Sequence, residues 1–370
     1  MPGAAALLAL ACLFGSGAVA QERAAHPVQL IDTMELDPSR FDGAFGGISG
    51  IDYDRRQRRW LLLSDDRSDH APARWYAARI DRHANGRWRV RSVRRHTLVD
   101  SAGERFPSAG LGHEAVDTEA IRVAPDGRTR LWTSEGDARD GYGPAVRRAD
   151  RHGRTIGSVS LPANLRFDPA GRRGTRDNGT LEGLDFAPDG ALWLAMEAPL
   201  IEDGLPAAEG RPARVRFTRV RSGEATRQYA YSLDAAPPSV HGKGADNGVT
   251  EILMLDDHRA LVIERSGAPD EDGHYRFHCR LYLADFAAAT EVSAVAALDD
   301  RSTPAAKRLL FDFDTLQTSP GNLEGMAWWP ARGNRRDRIV LVNDNNFVEG
   351  EPTRLLLLAL APDLVPPPTR

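Results

Sequence analysis

The sequence predicts an all-β fold, a single-domain β-propeller of five or six four-stranded blades. A short motif recurs five times along the 370 residues at long, near-even spacing. Each copy opens a hairpin of alternating apolar residues, and helical periodicity is absent.

The N-terminus comes first. An apolar run from Ala4 to Phe14 leads through small residues to Ala18-Val19-Ala20, an A-x-A-like cleavage site before Gln21. Residues 1–20 are therefore expected to be a signal peptide and 21–370 the propeller domain, which puts the protein in the periplasm or outside the cell. A lipid anchor at Cys12 is the weaker alternative, because Ala9 stands where leucine is usual. No later run approaches the ~20 apolar residues of a membrane-spanning helix. After cleavage Cys279 would be the one remaining cysteine. It can form no internal disulfide, and its place in an alternating stretch predicts a buried, inert thiol. With a formal net charge of −4 there is no basic field for nucleic acid. A monomer is favoured.

The five motif copies are Ile48-Ser49-Gly50-Ile51, Thr118-Glu119-Ala120-Ile121, Leu181-Glu182-Gly183-Leu184, Thr250-Glu251-Ile252-Leu253 and Leu323-Glu324-Gly325-Met326. Each starts a strand, and turns such as Pro125-Asp126-Gly127 and Pro188-Asp189-Gly190 reverse it: proline pre-sets φ, and glycine accepts positive φ. A second strand returns (Trp60–Leu63, Leu131–Thr133, Leu192–Ala195, Leu261–Ile263, Ile339–Val342) and ends in acids or amides. Two further strands, such as 74–80 and 88–96, complete a four-stranded blade. The last run, Arg354–Leu360, is expected to pair with the N-terminal strand 28–36 and close the ring.

The start of each first strand and the end of each second lie at the same edge of a blade. Around a ring both sets gather at one mouth, which would crowd Glu119, Glu182, Glu251 and Glu324 near a common axis. Like charges that close are compensated by raised pKa values or by a cation. Hard carboxylate and amide oxygens suit calcium, and no His/Cys spacing suggests zinc. Asp65, Glu135, Glu197, Glu264 and Asp344 are expected as outer ligands, or as a base. His113-Glu114 is a further candidate. Arg67 and Arg265 follow acidic residues at the same mouth, where a guanidinium would either fork onto an anionic substrate or pair with the acids.

The succession Gly46-Gly47-Ile48-Ser49-Gly50-Ile51, Leu63-Ser64-Asp65-Asp66-Arg67, Asp117-Thr118-Glu119-Ala120-Ile121, Ser134-Glu135-Gly136, Asn178-Gly179-Thr180-Leu181-Glu182-Gly183-Leu184, Ile263-Glu264-Arg265, Asn322-Leu323-Glu324-Gly325 and Asn343-Asp344-Asn345-Asn346-Phe347 resembles the phytase-like domain of secreted bacterial proteins described as having esterase-like activity of phytase. The resemblance spans roughly residues 28–360. It implies a relation to calcium-dependent propeller phytases, which use calcium to hold phosphate and activate water. Lys243 and Lys307 are the only lysines, so the lysine-rich phosphate cradle of a true phytase is missing. The expected activity is metal-dependent hydrolysis of a phosphate or carboxylic ester. Glu119, Glu182, Glu251, Glu324, Asp65, Glu197 and Asp344 would hold calcium, Glu182, Glu135 and Glu264 would serve catalysis, and Arg67 and Arg265 would orient a small anionic or ester substrate. A propeller lactonase is the second enzyme reading. A non-catalytic, calcium-stabilised binding module is the third. No serine sits in a G-x-S-x-G elbow, which argues against a serine esterase.

Overall fold

The computed structural model describes residues 27–42, 44–239, 244–272, 275–330 and 336–365. The expected signal segment, 1–20, lies outside the described residues. Among the described residues, twenty strands form five four-stranded antiparallel sheets. After β1 (Val28–Glu35), blade 1 holds β2 (Ile48–Asp54), β3 (Arg59–Ser64), β4 (Arg74–Arg82) and β5 (Trp88–Thr97). Blade 2 holds β6 (Thr118–Val123), β7 (Arg130–Ser134), β8 (Ala145–Ala149) and β9 (Thr155–Ser158). Blade 3 holds β10 (Leu181–Phe186), β11 (Leu192–Met196), β12 (Ala213–Val220) and β13 (Arg227–Leu233). Blade 4 holds β14 (Asp246–Met254), β15 (Arg259–Pro269), β16 (Tyr275–Asp285) and β17 (Ala306–Asp312). Blade 5 takes β18 (Asn322–Trp328), β19 (Arg338–Asp344) and β20 (Arg354–Leu360), with β1 as its outer strand.

The first strands touch in a closed circle, β2 to β6 to β10 to β14 to β18 and back to β2. The chain is a five-bladed propeller with those strands innermost. Its closure is the expected one: β1 pairs antiparallel with β20, from Val28 against Leu360 to Glu35 against Arg354. The continuous apolar run of β20 follows from burial on both faces. Leu356 and Leu358 pack with blade 4 residues such as Leu261 and Leu281, while Leu355 packs toward Ile51 and Leu62 of blade 1. Burying each such leucine is worth about 1.5–3 kcal/mol over leaving it exposed, so the closing strand is bound mainly by its side chains.

The hairpin turns follow their residues. Asp126 accepts from Arg128 N and Thr129 N (2.7 and 2.8 Å), and Gly127 adopts φ +64. Cys279 is buried in β16, and burial pushes its thiol up to about 12, in keeping with an inert side chain. Among the described residues, no helix is long and apolar enough to cross a membrane.

Candidate functional site

Each innermost strand is irregular at its start. The pairing register skips Ser49 in β2, Glu119 and Ala120 in β6, Glu182 in β10, Thr250 in β14 and Glu324 in β18. A bulged residue leaves the ladder and re-aims its side chain. Directly after the second-strand residue that pairs just before each skip, the equivalent positions carry Asp65, Glu135, Glu197, Arg265 and Asp344. The two sets make stacked rings at one mouth. Serine and threonine take two places in the lower ring, and an arginine takes the blade 4 place in the upper.

Blade 4 departs from the expected register by one residue. Glu251 does not share the position of Glu119, Glu182 and Glu324; Thr250 does. Glu251 instead aligns with Gly50, Ala120, Gly183 and Gly325, where neighbouring backbones leave room for almost nothing. A Cβ on Gly50 would lie 2.6 Å from the Glu119 carbonyl oxygen. A one-residue slip turns a strand side chain to the other face, and Glu251 enters the channel axis. There Arg122 Nη2 stands 2.8 Å from Glu251 Oε2, a charge contact without hydrogen-bond alignment. Leu184 N and Ile252 N donate to Glu251 Oε1 at 3.1 and 2.8 Å. Arg122 also donates to the carbonyls of Ile51, Ile121, Ile252 and Met326 (3.0, 2.8, 3.1 and 2.9 Å) and, through Nε, to Asp185 (3.2 Å). One guanidinium thereby binds all five blades.

The same slip displaces Glu264. It lies beneath the blade surface, accepting from Tyr231 Oη (2.7 Å), Asn247 Nδ2 (2.8 Å) and Asp234 N (3.1 Å), with Lys307 Nζ at 2.5 Å. Its neighbour Arg265 takes the ring position. Arg67 stands behind the ring, 3.4 Å from Asp117 and 3.6 Å from Asp137. Glu114 is taken up by an ion pair with Arg147.

The mouth opens into a cavity of about 1090 Å³. Asp65, Glu119, Glu135, Glu182, Glu197, Glu324 and Asp344 all line it, together with Arg265. Sequence reasoning missed Asp117, which also lines it; its signal was its place immediately before Thr118-Glu119. Carboxylate oxygens meet within 4.8 Å of one another in three groups: Asp65, Glu324 and Asp344; Asp117, Glu119 and Glu135; and Glu135, Glu182 and Glu197. The first group spans the seam between blades 5 and 1, and the other two join blades 2 and 3 through Glu135. Gly47 makes room at the seam, where a Cβ would stand 2.1 Å from Asp65 Oδ1.

Burial, reinforced by neighbouring carboxylates, raises the whole ring. The carboxyls of Asp65, Glu119, Glu182 and Glu324 are held well above the ordinary range. Glu135 is pushed up to about 8 by burial and then by Glu197 and Asp117. Burial lifts Asp117 and Asp344 to about 6. Glu197 rises as well, against the pull of Arg265, whose Nη2 lies 2.6 Å from Glu197 Oε1. Glu324 Oε2 and Asp344 Oδ2 are buried acceptors with no donor. Unpartnered buried acceptors cost free energy. The donor set is all oxygen, so the residues present fit a hard divalent cation such as calcium.

Among curated proteins none matches the chain in sequence. Similar solved structures include the mannose phosphorylase MPT-4 from Leishmania mexicana, at 10% identity and TM-score 0.40, covering 89% of this chain and 88% of that one. Another is the β-fructofuranosidase of Schwanniomyces occidentalis, at 8% identity and TM-score 0.42 over 88% of this chain. This chain spans 58% of that enzyme's length. The family model described as "esterase-like activity of phytase" matches residues 43–347. That match takes in blades 1 to 4, the two inner strands of blade 5 and both acid rings, and the chain belongs to the phytase-like family.

Proposed function

We propose that this protein is an exported, monomeric, calcium-dependent hydrolase of phosphate or carboxylic esters, working at the mouth of the propeller. One observation carries the reading: eight carboxylates from blades 1, 2, 3 and 5 converge on one cavity with a single arginine in their rings. Donors reach only some of these oxygens, and Glu324 Oε2 and Asp344 Oδ2 are buried with none.

Asp65, Glu324 and Asp344 would hold one cation, and Asp117, Glu119, Glu135, Glu182 and Glu197 would hold the other site or sites. A cation bound there would supply positive charge for the oxygens of a phosphoryl or acyl group. The chain's own residues supply the rest. Arg265 lines the cavity, so its guanidinium is placed to donate to an anionic oxygen. Glu135, whose carboxyl is pushed up to about 8 in the cation-free fold, is the acid assigned to take up or release a proton. Glu251 and Glu264 have no part in this chemistry; their oxygens are committed to structural donors. Export rests on residues 1–20.

The test is metal analysis of the purified protein, followed by hydrolysis of phosphate and carboxylic esters and lactones with calcium and with chelator. Glu182→Gln is expected to lose calcium affinity and ester hydrolysis together. Full retention of both would overturn the assignment. Calcium that raises the melting temperature with no turnover of any ester would leave a binding module instead.

A further inference from the structure

The cavity is larger than the acid rings need, and its outer wall is of a different chemistry. Tyr275 and Phe277 come from the start of β16, Phe313 and Leu316 from the segment after β17, and Val348 from the loop after β19. All five belong to blades 4 and 5. Tyr275 is 43% exposed and Val348 54%, two of the few large apolar side chains left open to solvent among the described residues. Arg265 marks the border. Its guanidinium pairs with Glu197 on the ring side and lies 5.9 Å from the centroid of Phe277 on the wall side. Phe277 in turn packs against Tyr275, with ring centroids 5.8 Å apart.

The cations of the wall are already matched. Arg276 pairs with Asp270 at 3.0 Å, Arg354 with Glu35 at 3.1 Å, and His278 with Asp314 at 2.7 Å. No lysine lines the cavity among the described residues. A polyphosphorylated ligand needs several uncommitted cations around its periphery, and this wall presents apolar faces, amides and the carboxylates of Asp314 and Glu351 instead.

We infer that the site selects esters carrying one anionic or ester group on an aromatic or bulky apolar body, and that Phe277 is a specificity-determining residue. The reactive group would sit on the ring side of Arg265, and the body would lie along Phe277, Tyr275 and Leu316. This rests on the proposed function, since the cation-loaded ring must hold the anionic end.

Binding of non-hydrolysable probes tests it without turnover. With the calcium-loaded protein, phenylphosphonate is expected to bind roughly tenfold tighter than methylphosphonate, the gain from burying one ring face. Phenylphosphonate should also bind more tightly than inositol hexasulfate. In Phe277→Ala the phenyl preference should fall to about threefold or less, with calcium affinity retained. Phe277→Leu, which keeps most of the volume, guards against a folding failure and should lose part of the preference. Equal binding of the two phosphonates, no binding of either, tightest binding of the hexasulfate, or an unchanged preference in both variants would each overturn the inference. A phenyl preference that persists while no ester is turned over would sink the hydrolase reading and leave the binding preference standing.

Discussion

Two clusters of buried carboxylates sit one layer apart in the same channel and meet opposite fates. At the axis, Glu251 and Asp185 share the Arg122 guanidinium, and each accepts from backbone N–H groups, Leu184 N and Ile252 N for one and Met254 N for the other. At the mouth, eight carboxylates share Arg265 and a few donors, and some of their buried oxygens have none. Burial alone therefore does not mark a site, because both clusters are buried. What separates them is whether the chain supplies the countercharge. The axis is complete as folded, and the mouth is complete only with something added.

The largest effect expected from this contrast is at the axis. Arg122→Met leaves two buried acids and four blade carbonyls without their shared donor. Removing one partner of a buried pair costs about 3–5 kcal/mol. The melting temperature should drop sharply, and saturating calcium should not restore it. Recovery of wild-type stability on adding calcium would mean that the two clusters are one system.

Acidity sharpens the difference next. In the unfolded chain carboxyls titrate near pH 4, whereas in the cation-free fold Glu135 keeps its proton to about 8, and Asp117 and Asp344 to about 6. Between those values the folded state binds more protons than the unfolded one. Stability of the cation-free protein must then fall as pH rises from about 4 to about 8. Bound calcium replaces those protons, so the calcium-loaded protein should lose most of that decline and keep the part due to Glu251 at the axis, which burial pushes up to about 7. Calcium's stabilising shift should therefore grow through the same window, by about 1.4 kcal/mol per pH unit for each group still titrating. A calcium shift that is flat with pH would show that the ring is not the binding site.

A single mouth acid should behave oppositely to Arg122. Glu324→Gln removes one like charge and one orphaned acceptor, so the cation-free protein should melt higher than wild type. The seam site would at the same time lose affinity. A cation present at a hundred times its Kd stabilises by about 2.7 kcal/mol, and the variant should forfeit much of that. If Glu324→Gln instead lowers the melting temperature without calcium, the side chain is structural.

The contrast also shows what was legible in the residues. Five hairpins, their turns and the closure of β1 on β20 follow from apolar alternation and turn chemistry, which are local. The convergence of Glu119, Glu182, Glu324, Asp65, Glu135, Glu197 and Asp344 followed from strand direction. Blade 4 failed by one residue because acidic identity was used to set its register. Aligning the apolar column Ile51, Ile121, Leu184, Ile252 and Met326 puts Thr250 and Arg265 in the rings. Arg122 gave no local signal at all: its role exists only where five strands from distant parts of the chain meet.

The smallest effect tests the border between cluster and countercharge. Arg67 lies 3.4 Å from Asp117 and is about a third exposed, so the pair contributes under about 1 kcal/mol to stability. Arg67→Gln should therefore barely move the melting temperature of the cation-free protein. Its effect on calcium should be larger and of opposite sign. Asp117 loses a competing cation, and the ring gains one net negative charge, so calcium should bind a few fold more tightly. Weaker calcium binding in Arg67→Gln would show that the arginine positions Asp117 rather than competing for it. The mouth would then be built by its countercharge, as the axis is.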